Sequence, residues 1–383
     1  MRNQEEYHTS MKLFLLICPL IMLSSCFANN QKNQGSESSG VFYVGTYTRG
    51  ESQGIYKYML HDDGTLDSIS LAAKAANPSF LALSHDRRFL VSVSEVSSKQ
   101  ELGSLISFAI EGDSLALINQ TSSGGAHPCF VAVNEEGYVL AANYTGGNVG
   151  LTKLNEKGEL SALLDVQQHS GSDISDRQKG PHAHSVWFDP DGHGIISVDL
   201  GTNELWFSEL DRASHTLKPS DQRTLPMKAG AGPRHLTFHP NGKWLYVVNE
   251  LDCTVTLVEK EADGSYARKN SVSTLPADFT EYNTCADIHI SSDGHFVYAS
   301  NRGHNSIAIF RVDGEDGSLE PVGHQSTMGE TPRNFSLSPD GAFLLAANQR
   351  SNTIVSFTRN SDSGLLEYTD QIKAPAPVCI LFY

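Results

Sequence analysis

A hairpin-forming stretch recurs along this chain at intervals of about fifty residues, and no other feature restricts the possible folds as strongly. The clearest copy runs from Ala231 to Glu250, AGPRHLTFHPNGKWLYVVNE. Leu236 and Phe238 are apolar residues two apart, His239-Pro240-Asn241-Gly242 supplies Pro and an Asn-Gly turn, and Lys243 to Asn249 is an aromatic and β-branched run. Cys285 to Arg302 (CADIHISSDGHFVYASNR), Pro332 to Gln349 (PRNFSLSPDGAFLLAANQ) and Ala183 to Leu200 (AHSVWFDPDGHGIISVDL) repeat it. Pro78 to Glu95 and Pro128 to Tyr144 are weaker copies. With the turns aligned, the copies start at 78, 128, 183, 233, 285 and 332, so the spacings are 50, 55, 50, 52 and 47 residues. In an all-β sequence such a period indicates a propeller with one four-stranded blade per repeat. The second half of each repeat agrees, since Ser306 to Val312 and Thr353 to Thr358 alternate as outer strands do.

The blade count depends on the chain ends. Pro377 to Tyr383 reads as the first half of a hairpin with no partner after it, and Val41 to Tyr47 as the second half with no partner before it. Joined, they make a composite blade with Gly54 to Leu60 as its third strand. The expectation is therefore an all-β, seven-bladed β-propeller closed by pairing of its N- and C-terminal strands, which removes the open edge of the array.

The propeller occupies residues 41–383 and is preceded by two other segments. Residues 1–26 read as a lipoprotein-type signal: Met11-Lys12 precedes the apolar run Leu13 to Leu23, which ends Leu23-Ser24-Ser25-Cys26. The run is too short for a membrane-spanning helix, which needs about 20 apolar residues. Cys26 is then the lipidation site, and residues 27–40 form a polar tether with the composition of a disordered linker. This predicts an exported protein held to a membrane by a lipid anchor; a misread leader would leave it cytoplasmic. Lys and Arg number 28 against 44 Asp and Glu, a net charge of −16, which repels nucleic acid and excludes it as a partner. Cys129, Cys253, Cys285 and Cys379 lack metal-type spacing and sit in or beside predicted strands, so they read as buried free thiols.

The chemistry follows from the repeat. The residue after each copy's first position starts an inner strand, and its hairpin partner ends the second strand at the same mouth of the ring. These pairs are Ser79 with Glu95, Cys129 with Tyr144, His184 with Leu200, Arg234 with Glu250, Ala286 with Arg302, and Arg333 with Gln349. The third to sixth copies thus present His184, Arg234, Glu250, Arg302 and Arg333 around one side of the opening, with His235 beside Arg234. Arginines gathered at one hole of an acidic protein call for an anion; the alternative is that each pairs with a carboxylate such as Glu250 or Asp287. His182 and His184 face the same way on an extended strand. They suit a general base or a substrate hydrogen bond. A zinc site drawing on His235 and His289 is the other reading, but no carboxylate or cysteine completes a known spacing. His289 reads equally as a core histidine.

Together GPHAHS, GPRHLTFHP, YVVNE, ADIHIS, SNRG and PRNFSLSPDG resemble the propeller-type 6-phosphogluconolactonases, a family that includes the fungal 3-carboxy-cis,cis-muconate lactonising enzyme. The resemblance covers residues 41–383. It implies a cofactor-independent enzyme of lactone chemistry with His182 or His184, Arg234, Glu250 and Arg302 as catalytic residues. His235, Asp287, His289 and Arg333 are expected to bind the substrate, a small anionic lactone. Hydrolysis of a sugar-acid lactone is the expected reaction; a cycloisomerase of the muconate type and a non-catalytic, ligand-binding surface propeller are the alternatives.

Overall fold

The structure, a computed structural model, describes residues 40–96, 102–192 and 194–383. The expected leader, its Cys26 and the tether up to residue 39 lie outside the described residues. Strands Pro377–Phe382, Val41–Thr46, Gly54–Leu60 and Leu66–Lys74 hydrogen-bond in that order as one sheet. Phe42 pairs with Phe382 and Val44 with Ile380. This composite sheet is blade 1, and the C-terminal segment is its inner strand. Blades 2 to 7 follow in chain order, each a four-stranded antiparallel meander. Their inner strands are Leu81–Leu83, Pro128–Val133, Ala183–Phe188, Pro233–Phe238, Cys285–Ile290 and Pro332–Leu337. The seven-bladed ring closed across its termini is therefore the fold.

The turn residues act as the repeat requires. Gly192, Gly242, Gly294 and Gly341 occupy the left-handed position, with φ between 69 and 78°, that closes each hairpin loop. The preceding Asn241, Asp293 and Asp340 side chains accept the N–H two residues on, at 2.9 to 3.0 Å. In the weak copy Arg87 fills the glycine position at φ 58°.

Cores lie between blades rather than within one centre. The aromatic or apolar first residue of a second strand receives a turn from the next blade. Gly317 in blade 6 lies against the Trp244 ring, Gly364 against Phe296, Gly158 against Phe89 and Gly64 against Phe343. The Tyr246 and Tyr298 hydroxyls donate to the carbonyls of Gly317 and Gly364, both at 2.9 Å. Blades 5 and 6 are thus latched to the next by both a ring and a hydroxyl on a backbone carbonyl, and blades 2 and 7 by the ring.

At the mouth the inner strands depart from simple register. Pro233 faces Asn249 but His235 faces Val248, so Arg234 is an extra, bulged residue. The same bulge isolates Cys129, His184 and Arg333, and displaces Ala286 and Asp287 together in blade 6. Arg234 and Glu250 are therefore not backbone partners, since Glu250 donates its N–H to the Gly232 carbonyl at 2.7 Å, but their side chains meet as expected, with Arg234 Nε 3.0 Å from the Glu250 carboxylate. A bulge inserts one residue into one strand, twists it, and re-aims its side chain. In blades 3, 4, 5 and 7 the bulged residue, Cys129, His184, Arg234 or Arg333, is brought to the opening.

Candidate active site

The opening leads into a cavity of about 1030 Å³ lined by residues from every blade. Five arginines (Arg49, Arg177, Arg302, Arg333 and Arg350) and three glutamates (Glu95, Glu250 and Glu330) face it. A narrower recess shares Tyr47, Glu95, Cys129, His184 and Arg333 with the cavity and adds Ser79, Phe80, Arg234, His235, Asn334 and Val378. An acidic protein has concentrated its cations here, which favours an anionic occupant.

Glu250 is the centre of the arginine wall. Its carboxylate pairs with Arg234 Nε at 3.0 Å and Arg302 Nη2 at 2.9 Å, and also receives Arg177 Nη1. Burial alone would raise its pKa, but Arg302, Arg234 and Arg177 outweigh it and hold the carboxyl down to about 2. Arg234 also donates to the Ala286 carbonyl and is 2% exposed, so the pair is buried rather than a surface ion pair. Burial, with Arg302 and Arg333 adding repulsion, pulls Arg234 down to about 10. Arg302 also bonds the Cys285 carbonyl at 2.7 Å.

Arg333 is different. Its guanidinium lies over the Tyr47 ring, 5.4 Å from the centroid, and among the described residues no carboxylate oxygen comes within 4.0 Å of it. Burial opposes its charge, yet Tyr47, Glu95 and Glu250 more than offset this and hold its pKa above the usual arginine value. It is the lining cation of the recess that an incoming anion meets without displacing a carboxylate.

The two histidines separate. His184 lines both cavity and recess, edge-on to Tyr144 and His235, with its Nδ1 3.8 Å from the Cys129 sulfur. Burial, then Arg234, His235 and Arg333, pushes its pKa well below the usual histidine value, so the ring is neutral. His182 stacks on Tyr144 at 4.5 Å, with Nδ1 2.9 Å from the Tyr144 carbonyl, and does not line the cavity. The bulge at His184 breaks the alternation that put both on one face.

His235, Asp287 and His289 form a second cluster. Asp287 Oδ1 lies 2.7 Å from His235 Nδ1, and its Oδ2 lies 3.1 Å from His289 Nε2 and accepts from Asn334. His235 Nε2 is 3.3 Å from Arg234 Nη1, so the ring bridges Asp287 to the arginine. Burial and Arg234 lower His235 to about 4 against the pull of Asp287. Only His235 of the three reaches the recess; Asp287 and His289 line neither space and brace the wall from behind. Among the described residues no group of three or more His, Cys, Asp or Glu side chains is disposed to hold a metal ion. Cys129, Cys253, Cys285 and Cys379 are buried free thiols.

Sequence reasoning missed Arg177, which comes from a one-turn 3-10 helix, Asp176–Gln178, capped by Ser175. Its signal was the 55-residue spacing, the longest of the five, which marks the insertion that carries it. Tyr47 and Arg350 were also missed. Glu95 stood at the aligned position of Glu250 yet was given no role.

Residues 41–382 match the protein family described as Lactonase, 7-bladed beta-propeller. A 6-phosphogluconolactonase from Bacillus subtilis is 36% identical over 304 residues, covering 76% of this chain and 83% of the relative. One from Formosa agariphila is 35% identical over 309 residues, covering 77% and 85%. Among solved structures, the Pseudomonas aeruginosa periplasmic gluconolactonase is similar with a TM-score of 0.85 at 30% identity, over 89% of this chain and 99% of that one.

Proposed function

Because this chain belongs to the seven-bladed β-propeller lactonases and is a lactone-hydrolysing enzyme, a carboxylic-ester hydrolase, we propose that it opens an anionic sugar-acid lactone at the arginine-lined mouth. The observation that carries the reading is Arg333, a recess cation with no carboxylate partner among the described residues. Arg333 and Arg302 hold the anionic group and the oxyanion that develops as water adds to the carbonyl. Glu250 is an anchor that fixes Arg234, Arg302 and Arg177, because a carboxyl held at about 2 is a poor proton acceptor. His184, neutral and facing the recess, hydrogen-bonds the reacting group.

Glucono-δ-lactone and its 6-phosphate, compared by proton release at constant pH, test this. The phosphorylated lactone is expected to show at least a 30-fold higher kcat/KM, and Arg333→Ala to lose about that factor, since a lost charged partner costs about 2–5 kcal/mol. Equal rates for the two lactones, unchanged by Arg333→Ala, refute the anion reading. Release of no proton from any lactone would instead favour the isomerase or binding alternatives.

The leader supports a second part of the proposal: the enzyme is exported and anchored through Cys26. The run Leu13 to Leu23 ending in Leu-Ser-Ser-Cys motivates it, and the periplasmic relative is consistent with it. Cys26→Ser should move the protein from the membrane to the soluble fraction; a parent already soluble, with Met1 retained, overturns it.

A further inference from the structure

Each of the three glutamates at the mouth is held differently. Glu250 is saturated by three guanidiniums. Glu330 stands at the outer cavity and does not line the recess. Glu95, at the end of the second strand of blade 2, lines both spaces. Its carboxylate accepts the Tyr47 hydroxyl at 3.0 and 2.9 Å and the Ser79 hydroxyl. Among the described residues no Lys, Arg or His nitrogen lies within 4.0 Å of it.

From this arrangement we infer that Glu95 is the group that takes the proton from the attacking water. The inference rests on the lactonase reading above and adds a catalytic residue to it. A base must carry a proton after accepting it. Glu250 is excluded by its three cations. His184 is opposed first by burial and then by Arg234, His235 and Arg333, all of which disfavour a positive imidazolium. Glu95 differs from Glu250 in that its carboxylate is engaged, among the described residues, only by the Tyr47 and Ser79 hydroxyls and not by a paired guanidinium. Tyr47 and Ser79 fix its orientation, and the Arg333 guanidinium lies over the Tyr47 ring. Base and oxyanion partner are thus held by one tyrosine.

The step balances without a further reactant. The water oxygen bonds to the lactone carbonyl carbon while Glu95 takes one water proton and the carbonyl π electrons move to oxygen beside Arg333. The carbonyl re-forms as the ring C–O bond breaks, and the Glu95 carboxylic acid returns its proton to the departing alkoxide. The hydroxy acid then ionises and releases the proton that the assay counts.

Glu95→Gln, tested on whichever of glucono-δ-lactone and its 6-phosphate the parent turns over, should lower kcat at least 100-fold with KM within about threefold, as loss of a general base does. Glu95→Ala should regain rate in proportion to added formate, which a purely structural glutamate does not explain. Glu95→Asp, which keeps the charge, should retain more kcat than Glu95→Gln. Glu95→Gln with more than a tenth of parental kcat, or Glu95→Ala inert to formate while His184→Asn alone abolishes turnover, overturns the assignment. So does a variant whose melting temperature falls while its folded fraction keeps parental kcat. A parent that hydrolyses neither lactone removes the lactonase reading itself, and this assignment with it.

Discussion

Arg234 and Arg333 occupy the same turn-aligned position two blades apart, yet their surroundings give them different tasks. Arg234 is buried against Glu250 and the Ala286 carbonyl. Removing it leaves a buried carboxylate short of a partner, so Arg234→Ala should destabilise the protein by about 3–5 kcal/mol as read by denaturant melts. Arg333→Ala removes a cation with no carboxylate partner among the described residues and should barely move the midpoint while lowering kcat/KM. Equal losses of stability would show that Arg333 is structural too. Acid should loosen this same cluster. Glu250 titrates near 2 when folded, below its unfolded value of about 4.3, so its contribution is complete above about pH 4.3 and is lost as pH falls toward 2. His235, lowered to about 4 from about 6.5, acts in the same direction between those values, because the unfolded state binds the proton first. Stability should therefore fall steadily from pH 6.5 to 2, and Glu250→Gln should flatten the part below about pH 4.3. A Glu250→Gln profile parallel to the parent's in that range would contradict the assignment. At this scale the charged residues were legible in the sequence, but the separation of anchor from free cation was not, because it depends on what else lies within a few ångströms.

The element that sets the mouth is a hairpin with a tight turn at one end and a bulge at the other. The turn could be read from Asn-Gly and Asp-Gly; the bulge could not, since it changes register by one residue without a marker residue of its own. The latch between blades was legible in principle, in the recurrent glycine of DGTL, KGEL, DGSL and SGLL. Two glycines isolate its energy. Gly242 and Gly317 have similar φ values, 69 and 75°, so alanine strains the backbone equally at both. A Cβ at Gly242 meets open space, whereas one at Gly317 comes within 2.5 Å of the Trp244 ring. Gly317→Ala should therefore cost about 1–3 kcal/mol more than Gly242→Ala, the range for overpacking a close-fitted contact. Indistinguishable thermal midpoints for the two variants would mean that the latch carries no packing energy.

For the whole ring, the decisive element is the strand furthest along the chain. Val378, Cys379 and Ile380 are buried at 3, 2 and 6% exposure, and the Ile380 N–H donates to Asn334 Oδ1 of blade 7 at 2.7 Å. Deleting Val378 to Tyr383 would open an edge on Val41–Thr46 and unseat blade 1 from blade 7. The truncated protein should lose its cooperative transition at the parental temperature and expose apolar surface to a dye such as ANS. A truncated form that melts with the parent would show the closure to be dispensable.

The sequence alone determined the blade count, the closure across the termini and the mouth at which the arginines gather. These follow from local periodicity and turn chemistry, which act over a few residues and repeat. Tertiary structure alone decided that Arg177 crosses from an insertion to Glu250, that His184 rather than His182 reaches the cavity, and that Tyr47 lies beneath Arg333 while binding Glu95. Those relations join residues 48 to 286 positions apart, and their geometry depends on bulges and neighbouring charges that exist only once the ring has closed.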